Sequence, residues 1–135
     1  MAAPLTLLAD TAADLMTAGP VSIHGSATVN EAAAFFASRG FGAAAVLDAA
    51  GRPVGVVTKS DLLIHACGLA EGVEHVRTPV DSVMTPTVFS VRPDTPAASV
   101  VAQLVALSVK HLFVVDAAGV LVGVITPADV IRKLG

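Results

Sequence analysis

The chain has 135 residues, 54% of them apolar and only 14% charged, with five Phe and neither Trp nor Tyr. Such a composition excludes disorder and calls for a core tiled from small and β-branched side chains. The net charge of −3 disfavours a nucleic-acid partner, since binding through phosphates draws on a basic excess.

In chain order, residues 1–9 read as an arm that packs on a partner subunit or frays. A short helical lead over 10–16 ends near Gly19-Pro20, and a brief strand follows at 21–23. Next comes an amphipathic helix with Val29, Ala32, Ala33 and Phe36 on its apolar face, ending at Gly40. Two strands, 43–47 and 53–58, are joined by Asp48-Ala49-Ala50-Gly51, a hairpin signal in which glycine supplies the positive φ. A closing helix begins after Thr58 and runs through Leu62, Leu63 and Ile64. Residues 68–78 read as a polar linker, with Glu71, Glu74, His75 and Arg77 on a solvated face.

The same order then recurs. A lead over 80–84 stops before Pro86, and a strand follows at 88–91. A helix with apolar Val100, Val101, Leu104, Val105 and Val109 carries Pro96 in its first turn. Strands 112–115 and 121–126 are joined by Asp116-Ala117-Ala118-Gly119, and a last helix runs through Val130-Ile131. The most apolar run, 97–109, contains Ser99, Gln103 and Ser108 and falls short of the roughly 20 residues a membrane span needs. The single cysteine, Cys67, has no disulfide partner within the chain, and the N-terminus lacks a basic targeting region. The expectation is a chain outside the membrane, in the cytoplasm.

Sliding the sequence along itself by 68 positions, without a gap, gives 14 identities over residues 16–61. They include Met16/Met84, Thr17/Thr85, Gly55/Gly123, Thr58/Thr126 and Asp61/Asp129, which alanine and valine bias alone does not produce. The expected organisation is an arm at 1–9, a repeat at 10–67, a linker at 68–78 and a second repeat at 79–135. A β-α-β-β-α unit of about 55 residues is marginal alone, because it buries only about 60% of its unfolded surface. The fold expected is therefore mixed α/β (α+β), with two repeats packed sheet to sheet about a pseudo-twofold axis and clefts at the seam.

The chemistry concentrates in Gly55-Val56-Val57-Thr58-Lys59-Ser60-Asp61 and in Gly123-Val124-Ile125-Thr126-Pro127-Ala128-Asp129. In each, Thr stands where a strand becomes a helix, so free backbone N–H groups face the turn. Its hydroxyl can donate to a phosphate, and the carboxylate three residues on can accept from both hydroxyls of a ribose. The same spacing is also that of a capping box, in which Thr and the acid serve only the helix end. His24, His65, His75 and His111 have no ligand spacing, so no metal site is expected. Nor does a nucleophile–base pairing or a carboxylate pair mark an enzyme.

The ordered run Met-Thr, strand, helix, Val-Val-Asp-x-x-Gly, then Gly-Val-x-Thr-x-x-Asp resembles the cystathionine β-synthase (CBS) domain. Two in tandem resemble the CBS pair, or Bateman module, over about residues 10–134. The resemblance implies a regulatory, non-catalytic protein that senses adenosyl ligands (AMP, ADP, ATP, NAD or S-adenosylmethionine) between the repeats and signals to a partner. No cofactor is implied, and pairing through helices into a homodimer is. It further implies one ligand position with Asp129, Thr126, Val124, Ala128, Lys110 and His111, joined by Met16, Val21, Phe41 and Gly42. A second position groups Asp61, Thr58, Val56 and Ser60 with Met84, Phe89 and Val109. Lys110-His111, opposite Gly42-Ala43 of the other copy, ranks the Asp129 position first for a phosphate. The alternative is a dimerising interaction scaffold with no small-molecule ligand.

Overall fold

The computed structural model of the chain describes residues 4–40, 42–66 and 77–135. The chain divides into two compact units, a central one of Val21–Val88 and a split one of Met1–Pro20 with Phe89–Gly135. These units are offset from the repeats of the sequence, because each takes its lead segment from the other copy.

In the central unit, β2 (Ser22–His24) lies parallel to β3 (Ala43–Leu47), which runs antiparallel to β4 (Pro53–Thr58). The expected hairpin forms, with Gly51 at φ 83° and Asp48 accepting from the amides of Ala50 and Arg52. Helix α2 (Val29–Arg39) starts at a Thr28–Glu31 capping box and stops at Gly40, in the left-handed region at φ 70°. Its buried face, Val29, Ala32 and Phe36, packs with Ala44, Val46, Val57 and Leu62. Helix α3 (Lys59–Ala66) follows β4 directly. The lead of the second copy, a 3-10 turn at Val80–Ser82, completes this unit, and Thr85 exchanges both backbone hydrogen bonds with Val56.

The split unit has a four-stranded sheet in the order β1 (Thr17–Ala18), β7 (Leu121–Ile125), β6 (Leu112–Val115), β5 (Ser90–Val91). Here the lead of the first copy, α1 (Ala12–Leu15), brings β1 antiparallel onto β7 with Thr17 opposite Val124. Helix α1 packs on α4 (Ala97–Leu107), and α5 (Pro127–Ile131) follows β7. Asp14 closes the start of α1. The backbone N–H groups of Asp10 and Thr11 donate to its carboxylate and hold it below the usual carboxylate range.

Three local expectations are corrected. Val105 lies off the buried face of α4 and is 74% exposed, because it stands 100° round the helix from Leu104. Val109 lies beyond the helix, which ends where Ser108 turns left-handed at φ 51°. Pro96 is the residue before the helix rather than in its first turn; its φ of −56° suits that extended position and its missing N–H costs nothing there. In the described part of the arm, Thr6 and Gly135 exchange backbone hydrogen bonds of 2.7 and 2.9 Å, and Leu8 N–H donates to the Lys133 carbonyl. Cys67, Glu71, Glu74 and His75 lie outside the described residues, as does most of the expected linker. No described helix is long and apolar enough to cross a membrane.

Candidate functional site

Each unit presents one strand-to-helix turn built on Thr-x-x-Asp. In the central unit, β4 delivers Thr58 to the start of α3. The Thr58 N–H and hydroxyl both donate to Asp61 Oδ2, at 2.8 and 3.0 Å, and the Asp61 N–H returns a bond to Thr58 Oγ1 at 3.3 Å. In the split unit the Thr126 N–H and hydroxyl donate to Asp129 Oδ2 at the same 2.8 and 3.0 Å, and the Asp129 N–H returns at 3.4 Å. Both turns are thus reciprocal caps, and both threonine hydroxyls donate within their own turn.

The remaining carboxylate oxygens differ. Asp129 Oδ1 accepts from the Thr17 hydroxyl at 3.0 Å and from the Arg132 guanidinium, one helical turn on. Asp129 is 5% exposed, whereas Arg132 is 66% exposed and reaches in from solvent. Asp61 is half-buried, and among the described residues nothing donates to its Oδ1. Neither Thr17 nor Arg132 was singled out in the sequence as a partner of Asp129. The Asp-x-x-Arg spacing on a helix was the available signal for Arg132.

The two strand glycines permit close approach by the chain itself. A Cβ on Gly55 would lie 2.6 Å from the Thr85 carbonyl oxygen and would also strike Met84; one on Gly123 would strike Met16. Met16 therefore falls in the unit of Asp129, and Met84 in that of Asp61. Val56 and Val124 pair with Thr85 and Thr17, respectively, so their backbones are engaged. Lys59, Ser60 and Ala128 are exposed at the helix starts, and the Lys59 N–H donates to the Gly42 carbonyl at 3.1 Å.

Val21 and Gly42 lie in the central unit with Asp61. Val21 is half-buried against the core and accepts from the Ala45 N–H, and Gly42 is exposed. Phe89 and Val109 lie in the split unit with Asp129; Phe89 accepts from the Phe113 N–H and Val109 packs on the core. Phe41 lies outside the described residues. Lys110 is exposed, while His111 is half-buried with its ring centroid 5.0 Å from that of Phe113. Burial pushes the His111 pKa down, which favours the neutral imidazole. Among the described residues no cluster of three or more His, Cys, Asp or Glu is placed to hold a metal ion.

Comparison with known proteins places this architecture. The family model described as CBS domain matches twice, over residues 12–67 and 80–135. An L-aspartate semialdehyde sulfurtransferase of Methanocaldococcus jannaschii is 24% identical over the whole chain, which spans only 24% of that relative. The cytosolic domain of the Mg2+ channel MgtE, solved in complex with ATP, is 32% identical with a TM-score of 0.75; the match covers 91% of this chain and 48% of that one. CBSX2, solved in complex with AMP, is 27% identical with a TM-score of 0.75, over 92% of this chain and 95% of that one. With two matches spanning most of its length and solved neighbours of the same mixed α+β fold, the chain belongs to the CBS domain family, as a tandem pair.

Proposed function

We propose that this CBS pair is a non-catalytic regulatory module that binds an adenosyl ligand and passes its occupancy to a protein partner in the cytoplasm. The observation that carries the reading is Asp61, whose Oδ2 is fixed by Thr58 while Oδ1 accepts nothing among the described residues. A carboxylate oxygen with two open lone pairs can take both hydroxyls of a ribose. Complexes of MgtE with ATP and of CBSX2 with AMP support the ligand class. The sequence ranks the Asp129 position first through Lys110-His111. Two features weigh for Asp61 instead: the Asp129 carboxylate is already engaged, and burial disfavours charge on His111. The caps support a non-catalytic role, since both threonine hydroxyls are committed to their helix ends.

A thermal-shift series with AMP, ADP, ATP, NAD and S-adenosylmethionine tests this, because a ligand held only by the folded state raises the melting temperature. At least one should do so at millimolar concentration, and Asp61→Asn should abolish the shift. No shift with any of the five would refute the sensor and leave the scaffold.

A homodimer is part of both readings. It is supported by a groove of about 330 Å3 between α2 and α3, lined by Ala33, Phe36, Ala37, Gly40, Lys59, Leu62 and Leu63. Leu63 is 58% exposed and its counterpart in the other copy, Ile131, is 66% exposed. A second copy covering α2 and α3 would bury Leu63, and one covering α5 would bury Ile131. Sedimentation equilibrium should give a dimer that Leu63→Lys with Ile131→Lys splits; an unchanged mass would exclude that interface.

A further inference from the structure

We infer that Arg132, with Thr17, is the specificity-determining group that closes the Asp129 carboxylate, so that the chain takes one adenosyl ligand, at Asp61, from two near-identical motifs. The inference rests on the adenosyl reading above and adds a stoichiometry and two residues to it.

A carboxylate offers about four lone-pair positions to donors. The Thr126 N–H and hydroxyl take those of Asp129 Oδ2, and the Thr17 hydroxyl and Arg132 guanidinium take those of Oδ1. Nothing is left for a vicinal diol. A neutral hydroxyl does not readily displace the guanidinium either, since both hydrogen-bond the carboxylate but only the guanidinium also brings a positive charge to this buried acid. Arginine also keeps its proton throughout the accessible pH range, so the closure is not relieved by titration.

The 68-residue offset identifies what differs in the other copy. Thr17 corresponds to Thr85, and the register matches: Thr17 sits opposite Val124 as Thr85 sits opposite Val56. Arg132 corresponds to Ile64, which carries no donor and is 44% exposed. The decisive substitution between the two copies is therefore Arg132 against Ile64. Because Arg132 is largely exposed, exchanging it leaves the core packing untouched.

Isothermal titration of the full chain with AMP tests this, with the fold of each variant checked by thermal melting. The wild type should bind one AMP per chain, and Arg132→Ile with Thr17→Val should bind two. The converse variant, Ile64→Arg, should weaken the single wild-type site at least about tenfold. Because Ile64→Arg leaves the split unit unaltered, it keeps the test decisive if the double variant folds poorly. Two AMP bound by the wild type would overturn the closure while leaving the adenosyl reading intact, as would one AMP bound by all three proteins with equal affinity. Binding by the double variant but not the wild type would overturn the assignment to Asp61. Binding by none, with no shift from the other four ligands, would overturn the reading and the inference together.

Discussion

The central and split units perform the same local act twice. In each, a strand ends in Thr, and the following helix is capped through Thr-x-x-Asp with donor–acceptor distances of 2.8 and 3.0 Å to one carboxylate oxygen. They part at the other oxygen. In the split unit it is buried and saturated by groups from β1 and from the end of α5, while in the central unit none of the described residues donates to it. The lesson is that a capping box and a ligand-binding carboxylate are compatible, since the cap uses only one oxygen. What separates a structural acid from an available one is the second set of donors.

The largest difference in stability between the units should come from their glycines. Gly55→Ala should cost about 3 kcal/mol in urea unfolding, because its Cβ meets a backbone carbonyl held in a reciprocal pair of hydrogen bonds. At Gly123 the three nearest atoms all belong to the Met16 side chain, whose sulfur end can shift, and Gly123→Ala should cost about 1 to 2 kcal/mol. Equal costs would mean that Thr85 yields as easily as a methionine.

Next in size is the pair of acids. Asp129→Ala removes a buried cap and strands the Thr17 hydroxyl, for about 2 kcal/mol, whereas Asp61→Ala should lose about 1 kcal/mol, the worth of a cap alone. A costlier Asp61→Ala would erase the distinction between a locked and an open carboxylate.

The smallest effect is specific to the split unit, where His111 occupies the position that Ala43 holds in the other copy. Its folded pKa lies below the usual 6.5, so the unfolded chain binds more protons in the interval between the two values. Stability is therefore greatest above that usual value and falls as the pH drops from there through the lowered pKa. His111→Gln should flatten this stretch of the stability–pH curve. A curve of unchanged slope would show that burial of the ring carries no proton linkage.

Much of this architecture was legible in the residues. The strands at 43–47, 53–58 and 112–115 have the bounds expected from the sequence, and the hairpin glycines 51 and 119 take φ of 83° and 82°. These are local facts: a short run of small and β-branched residues on either side of one left-handed glycine suffices. The capping geometry of both Thr-x-x-Asp turns was also legible, as one of two readings left open by the spacing. The rank of the two acids was read from Lys110-His111, neighbours in sequence. The geometry supports another order, because Asp129 is engaged by Thr17, 112 positions away, and by Arg132, three residues on.

The sequence by itself determined a duplicated β-α-β-β-α unit with Thr-x-x-Asp at the start of a helix in each copy, since periodicity and turn chemistry act within about a dozen residues. Tertiary structure decided that each compact unit takes its lead segment from the other copy, and that Thr17 reaches Asp129 across 112 positions of chain. It also left Val105 in solvent. Hydrogen bonds and burial of that kind depend on which surfaces the folded sheet brings together, and one-dimensional spacing does not encode this.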